Sequence, residues 1–373
     1  SHRPFMQEVL DGLTSPLEEA DLQGVSFERT TPRLLEPDTE DHLQRLFEEN
    51  HWTDFLPVIL PTEARVEAML KGTSHPPDKI VGRLRPTAFR EFWEFTVEKV
   101  AVNAVMAGAR PEDFPVILAL AASGITMRSS STNSFATMAV INGPIRNELG
   151  MNSGIGAMGP YNHANATIGR AYGLLSTNLQ GGSVPGETYM GSLGNWYSYT
   201  AVLPEAEERS PWQPLHVQHG FKPTESAALI FFGGWYTHAG YGPRATWKEK
   251  MRHMLAAVEQ YSPPLVVMDP IAARGFVELG FDTKEKLIDW LADNGVMTAR
   301  EYWDNQWTQY LMKPRAVAGV EPYASRLRAD PDEIIKIFEP SELNIVVAGG
   351  ETQGAWKMIG GSLRAKVSID AWR

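Results

Sequence analysis

Cysteine is missing from all 373 residues. Its absence excludes disulfides, Cys-ligated zinc, iron–sulfur clusters and any thiol nucleophile supplied by the chain itself. Long apolar runs are also lacking: the longest, FPVILALAA, falls well short of the about 20 residues a helix needs to cross a bilayer. Nor is there a cluster of Lys and Arg, and 34 basic against 45 acidic residues leave a net charge of -11. Phosphate neutralisation requires basic patches, so nucleic acid is excluded as the main partner. The opening residues, SHRPFMQEVLDG, show neither the charged n-region nor the apolar h-region of a secretory signal. The expectation is a cytoplasmic protein with neither membrane nor nucleic acid among its partners.

What is present is ordinary for a folded chain, with 43% hydrophobic and 21% charged residues and length enough for two or three lobes. Residues 1–86 read as a mainly helical arm, 87–245 as a central site-bearing domain, and 246–373 as a C-terminal lobe. In the arm, Leu43, Leu46 and Phe47, and then Val66, Met69 and Leu70, recur at helical spacing. Residues 87–107 carry the longest helical pattern, and the apolar-all-round segment 114–123 predicts a buried helix. Strands are expected at 197–203 and 227–232, with 233–243 forming an aromatic loop. In the last third, strands at 265–268 and 343–348 alternate with helices at 247–261, 282–294, 299–311 and 332–338, the second opened by Asp282 and Glu285 as a capping box. A Gly-rich turn at 349–354 then precedes another helical stretch. The fold class is α/β (or α+β), a mixed multi-lobed enzyme fold whose C-terminal lobe alternates strands and helices.

Residues 140–182 hold the chemistry-bearing density. Gly and Asn dominate there, residues that admit positive φ and let backbone amides approach a ligand. Arg146 and Arg170 offer planar forks for an oxyanion; Asn142 and Asn165 can polarise a carbonyl, and Asn178 and Lys99 extend the substrate-binding set. His163 and His216 are the candidate acid/base groups, with Glu187 as their partner. The turn at 349–354 lacks the Gly-x-Gly-x-x-Gly order and the Gly-Lys-Ser/Thr ending, so dinucleotide and P-loop readings fail on residue type. No Gly-x-Ser-x-Gly elbow is present either. No cofactor is identified. His216 and His219, with His163 or His238 as a distant third, form the alternative of a His-ligated metal centre.

The stretches VEKVAVNAVMAGARPEDFPVILA, INGPIRNELGMNSG, ANATIGRA, GGSVPGE and SPWQPLHVQHGF together resemble a functionally uncharacterised bacterial protein family. They cover the middle third of the chain. The resemblance implies an enzyme-like site there, and an association with short proteins, encoded alongside, that carry a cysteine or selenocysteine motif. It also implies that relatives often carry Cys at the position of Ala109, a pattern from which this chain departs, bringing no thiol of its own. Three expectations follow. The first is an enzyme acting on a small polar or carboxylate-bearing molecule by proton transfer, as a lyase, hydratase or hydrolase. The second is the His-ligated metalloenzyme. The third is a non-catalytic subunit served by a separate thiol-bearing partner; a homo-oligomer is compatible with each.

Overall fold

The computed structural model describes residues 4–16, 19, 32–84, 93–127, 135–180, 186, 189–191, 202–241 and 246–373. Residues 1–39 form one unit, whose described helix, Phe5–Thr14, buries none of its side chains. Residues 40–373 form the second unit and carry everything that follows.

Its framework is a six-stranded mixed sheet. In chain order come a two-stranded antiparallel pair, β1 (Ile80–Leu84) with β2 (Trp93–Thr96), and then the sheet strands β3 (Ala136–Asn142), β4 (Val202–Pro204), β5 (Ala227–Tyr241) and β6 (Pro264–Met268). A second small pair, β7 (Val296–Thr298) with β8 (Ile334–Lys336), precedes the last sheet strands, β9 (Asn344–Val347) and β10 (Ala355–Ser368). The sheet order is β4-β3-β5-β10-β6-β9. It reads the same from both ends. β3 runs parallel to β4 and antiparallel to β5; β6 runs parallel to β9 and antiparallel to β10. The two triplets are copies of one topology, joined where β5 pairs antiparallel with β10.

The sequence echoes this duplication. Val140-Ile141-Asn142-Gly143-Pro144-Ile145 leads through Glu148-Leu149 to Gly150, as Val266-Val267-Met268-Asp269-Pro270-Ile271 leads through Glu278-Leu279 to Gly280. In each copy a proline opens the helix after the first strand, where its missing N–H costs nothing, and a glycine at positive φ, 59° and 98°, closes it. The sheet curls until its edges meet: Ala206 N, just past β4, donates to Val347 O at the end of β9 at 2.7 Å.

Alternation along the strands builds a core on each face. Leu265, Val267 and Val346 face the helices Val97–Met106, Phe114–Ala122 and His163–Asn178, whereas Val266, Met268, Ile345 and Val347 face Trp247–Ala257, Pro270–Glu278 and Lys284–Asn294. Burial of Val116, Ile117, Leu118 and Leu120, all fully covered, stabilises by about 1.5–3 kcal/mol each. The α/β class and the all-round burial of residues 114–121 match expectation.

Several local expectations are corrected. The long helical pattern at 87–107 is cut short, because Trp93–Thr96 pairs as β2 and the Thr96 hydroxyl caps a helix that starts only at Val97. Residues 233–241 are not a loop but the second half of β5, and the stretch after Gly354 is β10 rather than helix, each extended by the long β5–β10 ladder. Residues 334–336 form a strand paired with β7. The helix at 299–311 breaks at Asn305, whose side chain caps a new start at Gln306, and Thr283, not Asp282, caps Lys284–Asn294.

The β5–β10 crossing leaves no room for side chains. Gly233 has φ 151°, and a Cβ there would sit 2.5 Å from Gly360 O. Gly233→Ala is expected to cost on the order of 1–3 kcal/mol, read as a lower denaturant midpoint with an unchanged m-value.

Candidate functional site

The two copies place the ends of their parallel strands in equivalent positions, and the residues there differ. In the first copy the space is filled by charge. Pro204 at the end of β4 is followed by Glu205-Ala206-Glu207-Glu208, and these carboxylates turn back onto the end of β3. The Glu205 carboxylate accepts from Asn142 Nδ2 at 2.6 Å, Leu215 N at 2.7 Å and Lys284 Nζ at 2.9 Å; both Glu205 and Lys284 have fully buried side chains. Lys284 is the first residue of its helix, a poor place for a cation against the positive end of the dipole, so Glu205 supplies the compensation. Glu207 accepts from Gly143 N at 2.7 Å and Asn142 Nδ2 at 2.9 Å, and forms an ion pair with Arg146 at 3.0 Å.

Arg146 is shared more widely still. It forks onto Glu208 at 2.9 and 3.3 Å and donates to Gly143 O and Glu205 O. The Arg146 hydrogen bond holds the Glu208 carboxyl down at about 2. His216 is completely buried beside this network; its Nδ1 stands 3.7 Å from Glu207 Oε1, beyond hydrogen-bond range, and neither ring nitrogen has a hydrogen-bond partner among the described residues.

In the second copy the equivalent space is open. Asp269 follows β6 and Ala348-Gly349-Gly350 follows β9, and with little side-chain volume there a cavity of about 220 Å³ remains. Gly156, Ala157 and Met158 form its opposite wall, Thr352 and Gln353 its rim, and Val267, Ala355 and Lys357 its strand side. Crevices outside the carboxyl ends of parallel strands are where α/β sheets bind ligands. Asp269 is 6% exposed; its Oδ1 accepts from Ala272 N at 2.8 Å, capping the helix Pro270–Glu278, and its Oδ2 accepts from Ala355 N at 2.6 Å.

Arg209 links the two places. The segment that carries Glu205 and Glu207 continues to Arg209, which donates to Ser153 O at 2.8 Å and Gly349 O at 3.1 Å, tying together the two walls of the crevice. A larger hollow of about 500 Å³ lies among Lys71, Thr73, Ser74, Glu112, Glu148 and Arg373. There Arg373 forks onto Glu148, Ser74 donates to Arg373 O, and Thr73 donates to Trp372 O.

Of the residues singled out from sequence, Asn142, Arg146 and His216 come together in the filled space, where the Arg146 fork is committed to glutamates rather than held open for a ligand. Asn165 does not face an opening. Buried, it accepts from Asn152 N and donates to Asn152 O and Ala157 O, shaping the loop that becomes the crevice wall. Arg170 is spent on Asp54, through two 2.9 Å bonds, and on Pro57 O. Asn178 donates to Trp52 O and Asn103 Oδ1, and Lys99 is exposed. His163 is exposed on the first turn of its helix, within electrostatic reach of Asp113, while His216 is buried in the filled space. Glu187 lies outside the described residues.

His219 bonds Asn344 Oδ1 through Nε2 at 2.8 Å while His216 faces Glu207, and among the described residues no three His, Asp or Glu side chains gather in a way that could hold a metal ion. Glu205, Glu207, Arg209, Lys284, Asp269 and Lys357 were not anticipated. A usable signal existed in the Glu205–Arg209 charge run placed directly between a strand and a proline, and in a strand ending at Asp269-Pro270.

Removing one member of the buried pair, as in Lys284→Met, is expected to cost about 3–5 kcal/mol by stranding Glu205, and Glu205→Gln added to it should recover much of the loss; equilibrium denaturation of both single variants and the double variant measures this. The Asp54 carboxyl is pushed up by burial but lowered overall by the Arg170 hydrogen bond and charge. Its folded value is therefore depressed, so its contribution is complete above the ordinary range near 3.8 and is lost as pH falls through the folded value. The stability difference between the wild type and Asp54→Asn should be constant near neutral pH and shrink in acid. Comparison with models of known protein families and with curated proteins finds no match for this chain.

Proposed function

We propose that the chain is an enzyme acting on a small polar or carboxylate-bearing molecule by proton-transfer chemistry, with the crevice at the carboxyl ends of β6 and β9 as its site. The observation that carries this reading is the contrast between the copies: the same strand-end position is packed with the chain's own carboxylates in one and left open in the other. Asp269 is the proton-moving group. Two backbone N–H donors fix its carboxylate, and each oxygen keeps a further lone pair for a bound molecule. Gly349 and Gly350 let the chain itself pack closely, since a Cβ at 350 would strike Ile155 and one at 349 would crowd Asp269. Arg209 acts as a positioning residue, through the loops it holds.

A second reading is supported by what lines the crevice. Its described lining has no histidine, serine or tyrosine, and Asp269 and Lys357 are its only ionisable side chains. A non-catalytic subunit, completed by a thiol from a separate partner protein, would need no more than this. Such a subunit predicts no turnover by the isolated chain.

Proton NMR of a panel of small carboxylates in deuterated water tests the first reading. The wild-type chain should exchange a carbon-bound proton of at least one compound, and Asp269→Asn, which can still cap the helix, should slow that exchange about 10²–10⁴-fold. Exchange untouched by the substitution, or none in any compound, contradicts it.

A further inference from the structure

We infer that the crevice selects a compact molecule carrying a carboxylate at one end and an ammonium or hydroxyl group at the other, Lys357 receiving the first and Asp269 the second. The inference rests on the reading of the crevice as a ligand site and adds the class of ligand. Ala355 and Lys357 lie two apart on β10 and so share a face. Lys357 pairs across the ladder with Val267, which lines the crevice. Its side chain is exposed and has no ion-pair partner among the described residues. An ammonium at the mouth of a cavity, with no ion-pair partner among the described residues, attracts a carboxylate.

Asp269 imposes the opposite demand. Each of its oxygens already accepts one backbone N–H, from Ala272 and from Ala355, and what remains on it is acceptor capacity. Another carboxylate against it is repelled, whereas an ammonium or hydroxyl completes its hydrogen bonding. Ala157, Met158, Val267 and Ala348 lie with these two groups in the lining and suit a short hydrocarbon link. The cavity of about 220 Å³ is smaller than the roughly 300–1,000 Å³ of a drug-sized site, which limits the link to a few carbons.

Titration calorimetry on the full chain tests this with alanine, γ-aminobutyrate and 3-hydroxybutyrate as bifunctional probes, against butyrate and butylamine as monofunctional ones. At least one bifunctional probe should bind about tenfold or more tightly than both monofunctional ones. Lys357→Met, on an exposed strand position compatible with folding, should reduce that probe to the level of butylamine, and Asp269→Asn should reduce it to the level of butyrate. Denaturation of each variant confirms that it is folded. Equal binding of all probes, binding indifferent to Lys357→Met, or no binding by any of them overturns the inference. A bifunctional probe that binds as described yet shows no carbon–proton exchange overturns the proton-transfer reading and leaves the ligand class standing. Exchange of butyrate with no bifunctional preference does the reverse.

Discussion

The structure depends on the long antiparallel contact between β5 and β10. Each strand runs through its own copy of the β3-β4 or β6-β9 arrangement, and the ladder between them is what makes one sheet of two copies. The contact is close because glycines meet at its middle, Gly233 opposite Gly361, with register shifts beside them that let the strands bend. Bending allows the sheet to curl until Ala206 reaches Val347. Without that closure the ends of the two parallel pairs would not be linked, and Arg209 would have neither Ser153 nor Gly349 to hold.

Curling brings two equivalent strand ends into one region and sets the problem of filling them. At the first, the chain invests three glutamates, an arginine and a buried lysine. Buried ion pairs seldom add net stability over apolar packing, because desolvation cancels much of the Coulombic gain. Their value here is geometric: Glu207 fixes the Gly143 turn, Glu205 fixes the starts of two helices, and the segment between them delivers Arg209 to the second strand end. At the second, Ala348, Gly349 and Gly350 add little side-chain volume, and a cavity lined by one buried carboxylate and one exposed lysine remains. One copy became scaffold and the other kept an opening.

Periodicity made the helices of the core legible, since the stripes at 114–121 and at Ile168, Ala171, Tyr172 and Leu175 depend only on local spacing and on a face that must be covered. The β5–β10 ladder was not legible, because Gly233-Gly234 reads as the start of a loop and the stretch after Gly354 as helix until a distant strand is placed beside each. The site shows the same limit. The Gly/Asn-rich segment does supply a wall of the crevice, at Gly156–Met158, but its asparagines mostly hold backbone, as Asn165 does for Asn152 and Ala157. Arg146 and Arg170 looked like free forks because Glu207, Glu208 and Asp54 are 61, 62 and 116 residues away in sequence. Asp269 and Lys357 gain meaning only from strand pairing, which places one at the end of β6 and the other across from Val267.

The central claim is that the second strand end is a ligand site and the first is scaffold. A crystal structure of the full chain grown with the tightest-binding bifunctional probe tests it most directly. The account predicts electron density for the probe between Asp269 and Lys357, with the Glu205–Lys284 and Glu207–Arg146 pairs unchanged. Density seated against His216 and Asn142, with those pairs opened to admit it, would contradict it.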